Sequence, residues 1–265
     1  MMSRLATFPK YNFQPKLFCS TLAPSADKTD NEPTVEVHST LLKELISRGF
    51  TYQFTDMGGL DKRLLEFEES NSTAATTESA TKPKLKPKPL TMYVGFDATA
   101  SSLHAGSLIQ LMLARMFLSH GHRVICLLGG GTTKIGDPSG KDAARQMLSE
   151  EAIKYNCASI ETVFRSVLGN VAVEAENLII KNNSEWLDGL NYVSFLRDFG
   201  SQFSVNRMLS LDSVKMRLNR EQPLSFLEFN YSILQAYDFH HLFHCDDVEL
   251  QVGGSDQWGN IVRYN

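Results

Sequence analysis

From residue 91 onward, short unbroken apolar runs alternate with longer segments whose apolar positions recur every three or four residues. Runs of the first kind read as buried strands, and segments of the second as helices packed on them. Strands are predicted over 91–96, 123–128, 177–181 and 248–252. Helices are predicted over 106–119, 149–167, 193–199, 213–218 and 226–243, with a last one from about 256. Such alternation builds an α/β fold, a Rossmann-like doubly wound parallel sheet with helices on both faces. Upstream, Ser39 precedes apolar positions at 41, 42, 45 and 46, and Gly49 follows them, the pattern of a capped amphipathic helix. Residues 52–54 read as a short extended piece and 60–67 as a second helix. Residues 68–89 are Ser, Thr, Ala, Lys and Pro with almost nothing apolar, and include K-P-K-L-K-P-K-P. They cannot bury a core and read as a low-complexity surface insert.

Composition narrows this picture. The 265 residues suffice for one large α/β domain, or one and part of a second. The helical pattern is still running at Asn265, so residues 36–265 read as one domain truncated at its C-terminus. A net charge of −4 does not advertise a nucleic-acid binder, although a local basic patch is compatible with it. Cys19, Cys126, Cys157 and Cys245 form no CxxC pair, so reduced thiols and no metal site are expected, with Cys126 in the core. No apolar run is long enough to span a membrane, so no membrane partner is expected. Residues 1–26 carry Arg4, Lys10 and Lys16 and no acid before Asp27. This resembles a mitochondrial transit peptide, with an ordinary disordered leader as the alternative, and 1–30 is set apart from the fold. The expected compartment is the mitochondrial matrix, otherwise the cytoplasm.

The candidate chemistry gathers at strand ends. In T-M-Y-V-G-F-D-A-T-A-S-S-L-H-A-G-S a strand feeds a helix N-terminus, whose free N–H groups suit a phosphate flanked by Thr99 and His104. A strand–turn–helix with an incidental histidine fits that stretch equally. Polar residues follow every strand: Asp97 and Thr99, then Thr132 and Asp137, then Asn183, then Ser255, Asp256 and Gln257. The glycine runs 129–131 and 253–254 let a ligand approach the backbone. In parallel α/β folds this edge of the sheet is the ligand crevice. Tyr231, Gln235 and Asp238 share one helix face amid apolar neighbours, which suits a polar pocket for a small zwitterion.

Four blocks carry a resemblance: Y-V-G-F-D-A-T-A-S-S-L-H-A-G-S, G-G-G-T-T-K-I-G-D-P-S-G-K, Y-S-I-L-Q-A-Y-D-F and Q-V-G-G-S-D-Q-W-G-N. In order and content they resemble the catalytic domain of bacterial and organellar tyrosyl-tRNA synthetases, from about Leu41 onward outside the insert. The resemblance implies that Tyr93 and Asp238 hydrogen-bond a tyrosine hydroxyl, and that Asp137, Tyr231 and Gln235 bind its ammonium group. It puts Gln251, Gln257 and Asn183 around the same amino acid. Asp97, Gly106, Ser107, Gly254 and Asp256 match the ATP side, with Asp256 on the ribose. Thr99 and His104 match the pair that grips pyrophosphate, and Lys141 and Arg145 a basic loop over the phosphates. ATP with its Mg²⁺, L-tyrosine and tRNA(Tyr) are the implied partners, and a homodimer the implied assembly, with the helix over 106–120 and nearby apolar segments as candidate interface. Three positions depart from the family. Ser107 replaces His or Asn, Val94 replaces a common Cys near the ribose, and Ala98 replaces the Pro of an F-D-P-T turn, which is expected to loosen it. The family's second, lysine-bearing signature is not found before Asn265, so this chain is expected to bind tyrosine weakly and to catalyse poorly. The tryptophan enzyme of the same fold and a catalytically silent, structural or RNA-binding homologue are the alternatives.

Overall fold

The computed structural model describes residues 36–74, 87–138, 147–171 and 175–262. The leader, most of the lysine–proline stretch, and Lys141 and Arg145 lie outside the described residues. In chain order the elements are α1 (Thr40–Ser47), α2 (Met57–Ala74), β1 (Thr91–Asp97), α3 (Ala105–Ser119), β2 (Arg123–Gly129), α4 (Glu150–Leu168) and β3 (Leu178–Asn182). The helices α5 (Ser184–Leu187), α6 (Tyr192–Asp198), α7 (Val205–Leu209), α8 (Asp212–Asn219), α9 (Phe226–Phe229) and α10 (Tyr231–Asp246) follow, then β4 (Val248–Val252) and α11 (Trp258–Val262).

The four strands form one sheet in the order β3-β2-β1-β4, and every pairing is parallel. The chain winds outward from β1 through β2 to β3, then returns to the other side of β1 for β4. That reversal is a topological switch point, and it lies between β1 and β4. Side chains alternate across the sheet. Met92, Val94, Phe96, Val124, Cys126 and Leu128 enter one core, with α1 to α4 packed on it. Tyr93, Ile125 and Leu127 enter a second core with Phe239 and Leu242 of α10 and Ile261 of α11. Both faces are therefore covered, as the pattern predicts. No helix among the described residues is long and apolar enough to cross a membrane.

Several local expectations change. Ser39 does not cap α1 with its hydroxyl. Two carboxylates of α2 take the work instead. Asp61 accepts from the His38 and Ser39 N–H groups at 2.9 and 2.8 Å and from the Ser39 hydroxyl at 2.6 Å. Glu68 accepts from the N–H groups of Thr40 and Leu41 at 2.9 and 3.2 Å. Burial opposes the Asp61 charge, but the Ser39 and His38 hydrogen bonds outweigh it and hold that carboxyl below its usual range. α2 runs to Ala74, past the compositional boundary at 68, so that Glu68 lies inside the helix and faces the start of α1. The helix predicted over 226–243 is two helices, meeting at Asn230. A Ser225–Glu228 capping box opens α9, and at its end Asn230 Nδ2 donates to the Phe226 carbonyl at 2.6 Å. The short helices α5 and α7 carry too few residues for a periodic signal. A 3₁₀ turn, Ser255–Gln257, precedes α11.

Candidate active site

Gly95 sits mid-strand in β1, it is exposed, and a Cβ built on it would meet nothing within 4 Å. A glycine inside a central strand marks a place where something approaches the backbone. Tyr93 and Asp97 lie on the same face of β1 as Gly95, and Gln251 of β4 pairs with Tyr93. Val94 points the other way and is fully buried in the first core. Its missing hydrogen-bonding group therefore faces α1 to α4, not the space above Gly95.

At the strand ends a continuous polar network closes one side of that space. Asp97 accepts from the Thr132 hydroxyl at 2.7 Å and from the Tyr231 hydroxyl at 3.1 Å. Asn183, only 1% exposed, accepts from the Gly131 N–H at 2.7 Å and donates to Thr132 Oγ1 at 3.1 Å. Its amide also donates to Asp238 Oδ2 at 2.9 Å, while Trp186 Nε1 donates to Asp238 Oδ1 at 2.8 Å. The glycine run is required by this packing. A Cβ on Gly129 would strike Asp97 and Thr132, one on Gly130 would strike Asn182, and one on Gly131 would press on Leu187 and Asn183. Gly136 has a φ of +88°, in the region that favours glycine, and turns the chain so that Asp137 comes back to the crevice. Asp137 accepts from Gln257 Nε2 at 2.9 Å, and Gln257 also bonds Asp256 and Asn260.

Burial sets the electrostatics. Desolvation pushes the Asp238 carboxyl up to about 7, against the hydrogen bonds from Asn183 and Trp186, with Asp97 adding repulsion. Desolvation, and the charges of Asp97 and Asp137, raise the Tyr231 phenol well above its ordinary value, so it stays a donor. Gln235 Oε1 and Ser232 Oγ are buried with no hydrogen-bond partner among the described residues. An unsatisfied buried acceptor on the helix face of Tyr231 and Asp238 is a place for a ligand donor.

The mouth is built by the turn from β1 to α3. Ala98 is fully buried and pinned at both ends: its N–H donates to Thr133 Oγ1 at 2.8 Å, and Asn156 Nδ2 donates to its carbonyl at 2.9 Å. The turn is thus fastened, not loosened, because alanine supplies an N–H that proline lacks. His104 is the residue before α3, and its carbonyl accepts from the Ser107 N–H at 2.9 Å. A Cβ on Gly106 would come within 2.9 Å of the His104 ring, so glycine there lets the imidazole lie over the helix N-terminus. Thr99 and His104 are exposed at this mouth, whereas Ser107 is buried. Across it, a Cβ on Gly254 would collide with Asp256 and approach Gln110 of α3.

The structure thus joins Asp97, Tyr231, Asn183 and Asp238 in one network and Asp137 with Gln257 and Asp256 in another. Tyr93 and Phe239 pack with ring centroids 6.0 Å apart, so Tyr93 and α10 share one side of the sheet. Sequence reasoning missed Gly95, Trp186, Thr133 and Asn156. Two signals were present: a glycine inside a strand, and one of only two tryptophans, three residues after Asn183. Thr133 and Asn156 gave none.

Residues 85–263 match the profile of the family described as tRNA synthetases class I (W and Y). The tyrosine–tRNA ligase of Rhodospirillum rubrum is 51% identical over 225 residues, covering 85% of this chain and 49% of that protein. That of Rhizobium meliloti is 51% identical over 228 residues, covering 86% and 49%. The chain spans about half the length of the curated relatives it matches. Among solved structures, a C-terminally truncated mitochondrial tyrosyl-tRNA synthetase of Aspergillus nidulans aligns with a TM-score of 0.61 at 33% identity, over 66% of this chain and 51% of that one. Its Coccidioides posadasii counterpart aligns with a TM-score of 0.58 at 25% identity, over 83% and 64%.

Proposed function

The chain belongs to the class I tRNA synthetases of the tryptophan and tyrosine type, and from that premise we propose that it is the catalytic part of a tyrosine–tRNA ligase. In this reading it joins L-tyrosine to ATP, releases pyrophosphate and passes the tyrosyl group to tRNA(Tyr). The observation that carries it is Asp238, 3% exposed and held by Asn183 and Trp186 in a polar corner of the crevice. An ionised carboxylate with one donor on each oxygen still has lone pairs free to accept. A phenol hydroxyl is the donor that suits it, and Tyr93 lies on the same side of the sheet. An amino acid lacking that hydroxyl would bury the remaining Asp238 lone pairs without the donor they can accept, the kind of discrimination for which this family's tyrosine enzyme is itself the standard illustration.

The remaining roles follow. Tyr231, Gln235 and Asp137 hold the ammonium group, and Gln257 and Gln251 flank the rest of the amino acid. The tyrosine carboxylate is ionised at neutral pH, so its attack on the α-phosphorus needs no general base. It needs alignment and positive or N–H charge around the phosphates. Thr99, His104 and the N-terminus of α3 supply that at the mouth, and the family resemblance assigns Lys141 and Arg145 to the same phosphates. Asp97, Gly106, Ser107, Gly254 and Asp256 border the nucleotide, and Mg²⁺ enters bound to the ATP phosphates.

The domain scheme belongs to the same proposal: a catalytic unit over 36–265, an insert over 68–89 whose residues 68–74 complete α2, and a leader over 1–30. The basic, acid-poor leader supports import into the mitochondrial matrix. Exposed apolar side chains, Leu108 and Ile109 on α3 and Phe226 on α9 among them, support a homodimer. Tyrosine-dependent exchange of pyrophosphate into ATP tests the activity. Exchange with tyrosine well above that with tryptophan is expected. Preference for tryptophan would overturn the substrate, and tyrosine binding without exchange would favour the silent homologue.

A further inference from the structure

His241 has no part in the reading above, yet it is tied to the crevice through one intermediate ring. Trp186 sits on α5, a four-residue helix that cannot fix a side chain by itself. Its indole is fixed from outside at two points. The Nε1–H donates to Asp238 Oδ1 at 2.8 Å. One face stacks on the His241 imidazole, with ring centroids 4.2 Å apart and planes at 17°. Asp238 and His241 both belong to α10, three residues apart, hence neighbours on one helix face. A single rigid helix therefore holds the indole by its edge and by its face. We propose that His241 is a positioning residue, which sets the donor angle of Trp186 and through it the geometry of the Asp238 carboxylate.

The surroundings suit a ring held by stacking. His241 is half-buried; desolvation and the Lys181 ammonium lower its basicity, while Asp246 and Glu185 act the other way. Lys181 is itself paired to Asp246 at 2.7 Å, and Cys245 Sγ lies 4.0 Å from His241 Nδ1. A neutral imidazole lying flat on the indole needs shape more than charge, so a phenyl ring can take its place. Without any ring, the indole can rotate, and the Asp238 carboxylate loses one of the donors that keep it an acceptor.

The test rests on the tyrosine reading but does not depend wholly on it. In pyrophosphate exchange, H241A should raise KM for tyrosine roughly three- to tenfold, the scale of one lost ring stack, and lower the preference for tyrosine over phenylalanine. The kcat should stay within about twofold, since α-phosphate chemistry is remote from this ring. H241F should restore both KM and preference. The second readout needs no substrate. The indole Nε1–H resonance that W186F removes should shift and exchange faster with water in H241A, and return towards wild type in H241F. Failure of the wild-type chain to use tyrosine would sink the proposed function and leave the resonance test standing. An unchanged indole resonance in H241A, or H241F as impaired as H241A, would overturn the role of His241.

Discussion

Asp238 is the residue on which recognition and stability pull in opposite directions. Burial pushes its carboxyl up to about 7, from an ordinary 3.8. A raised folded-state value means that its contribution to stability is complete below about 4 and is lost as the pH rises through about 7. Accepting a phenol hydroxyl requires the ionised form, so tyrosine binding should strengthen over the same interval in which stability falls. Urea unfolding of wild type and D238A between pH 5 and 8 should show the difference in stability shrinking or reversing with rising pH. Tyrosine titrations over that range should tighten for wild type, and D238A should lose its preference against phenylalanine. A flat binding profile, or D238A with unchanged preference, would remove Asp238 from the phenol subsite. His122 contributes an acid limb. Burial, with help from His120 and Arg63, lowers it to about 3, so the stability it lends above 6.5 is lost as the pH falls towards 3.

At the scale of elements, the decisive joint is the turn from β1 to α3, because it carries Asp97 and Thr99 into the mouth. Its fastening through Ala98 is made by Thr133 on the β2 side and Asn156 on α4, so three segments converge on one alanine. Ala98→Pro, the residue usual in the family, should destabilise this chain by about 1–3 kcal/mol, the cost of orphaning a buried hydroxyl and crowding the turn. Chemical denaturation reads that loss directly, and an A98P chain as stable as wild type would show the Thr133 bond to be dispensable. The α1–α2 pair follows the same logic. Consecutive N–H groups at the start of α1 are taken by Asp61 and Glu68, so the second helix caps the first. A helix-end reading from Ser39 alone placed the helix correctly and named the wrong capping group.

For the whole molecule, the sheet order places a covered core on each face and leaves one rim for chemistry. Large apolar side chains nevertheless remain exposed along α6 to α9, including Val193 at 73% and Phe226 at 68%, and on α3 at Leu108. If these faces pair two copies, sedimentation should report a dimer, and F226D or I109E should shift it towards monomer; a wild-type chain that sediments as a monomer at micromolar concentration would refute the pairing. Strand and helix positions, the parallel architecture and the strand-end location of Asp97, Asp137, Asn183 and Asp256 were all legible beforehand, since periodicity and burial act between near neighbours in the chain. The four blocks likewise carried the family. What the sequence could not fix was partnership. Asp97 meets Tyr231 across 134 positions, and Asn183 meets Asp238 across 55. Such pairs exist only once the strands have taken the order β3-β2-β1-β4, because crossovers, not local pattern, decide which loops share an end of the sheet. For the same reason Ala98 proved fastened, and Trp186 and His241 came to bear on Asp238: their contacts are made by packing between elements, and nothing in a single segment encodes them.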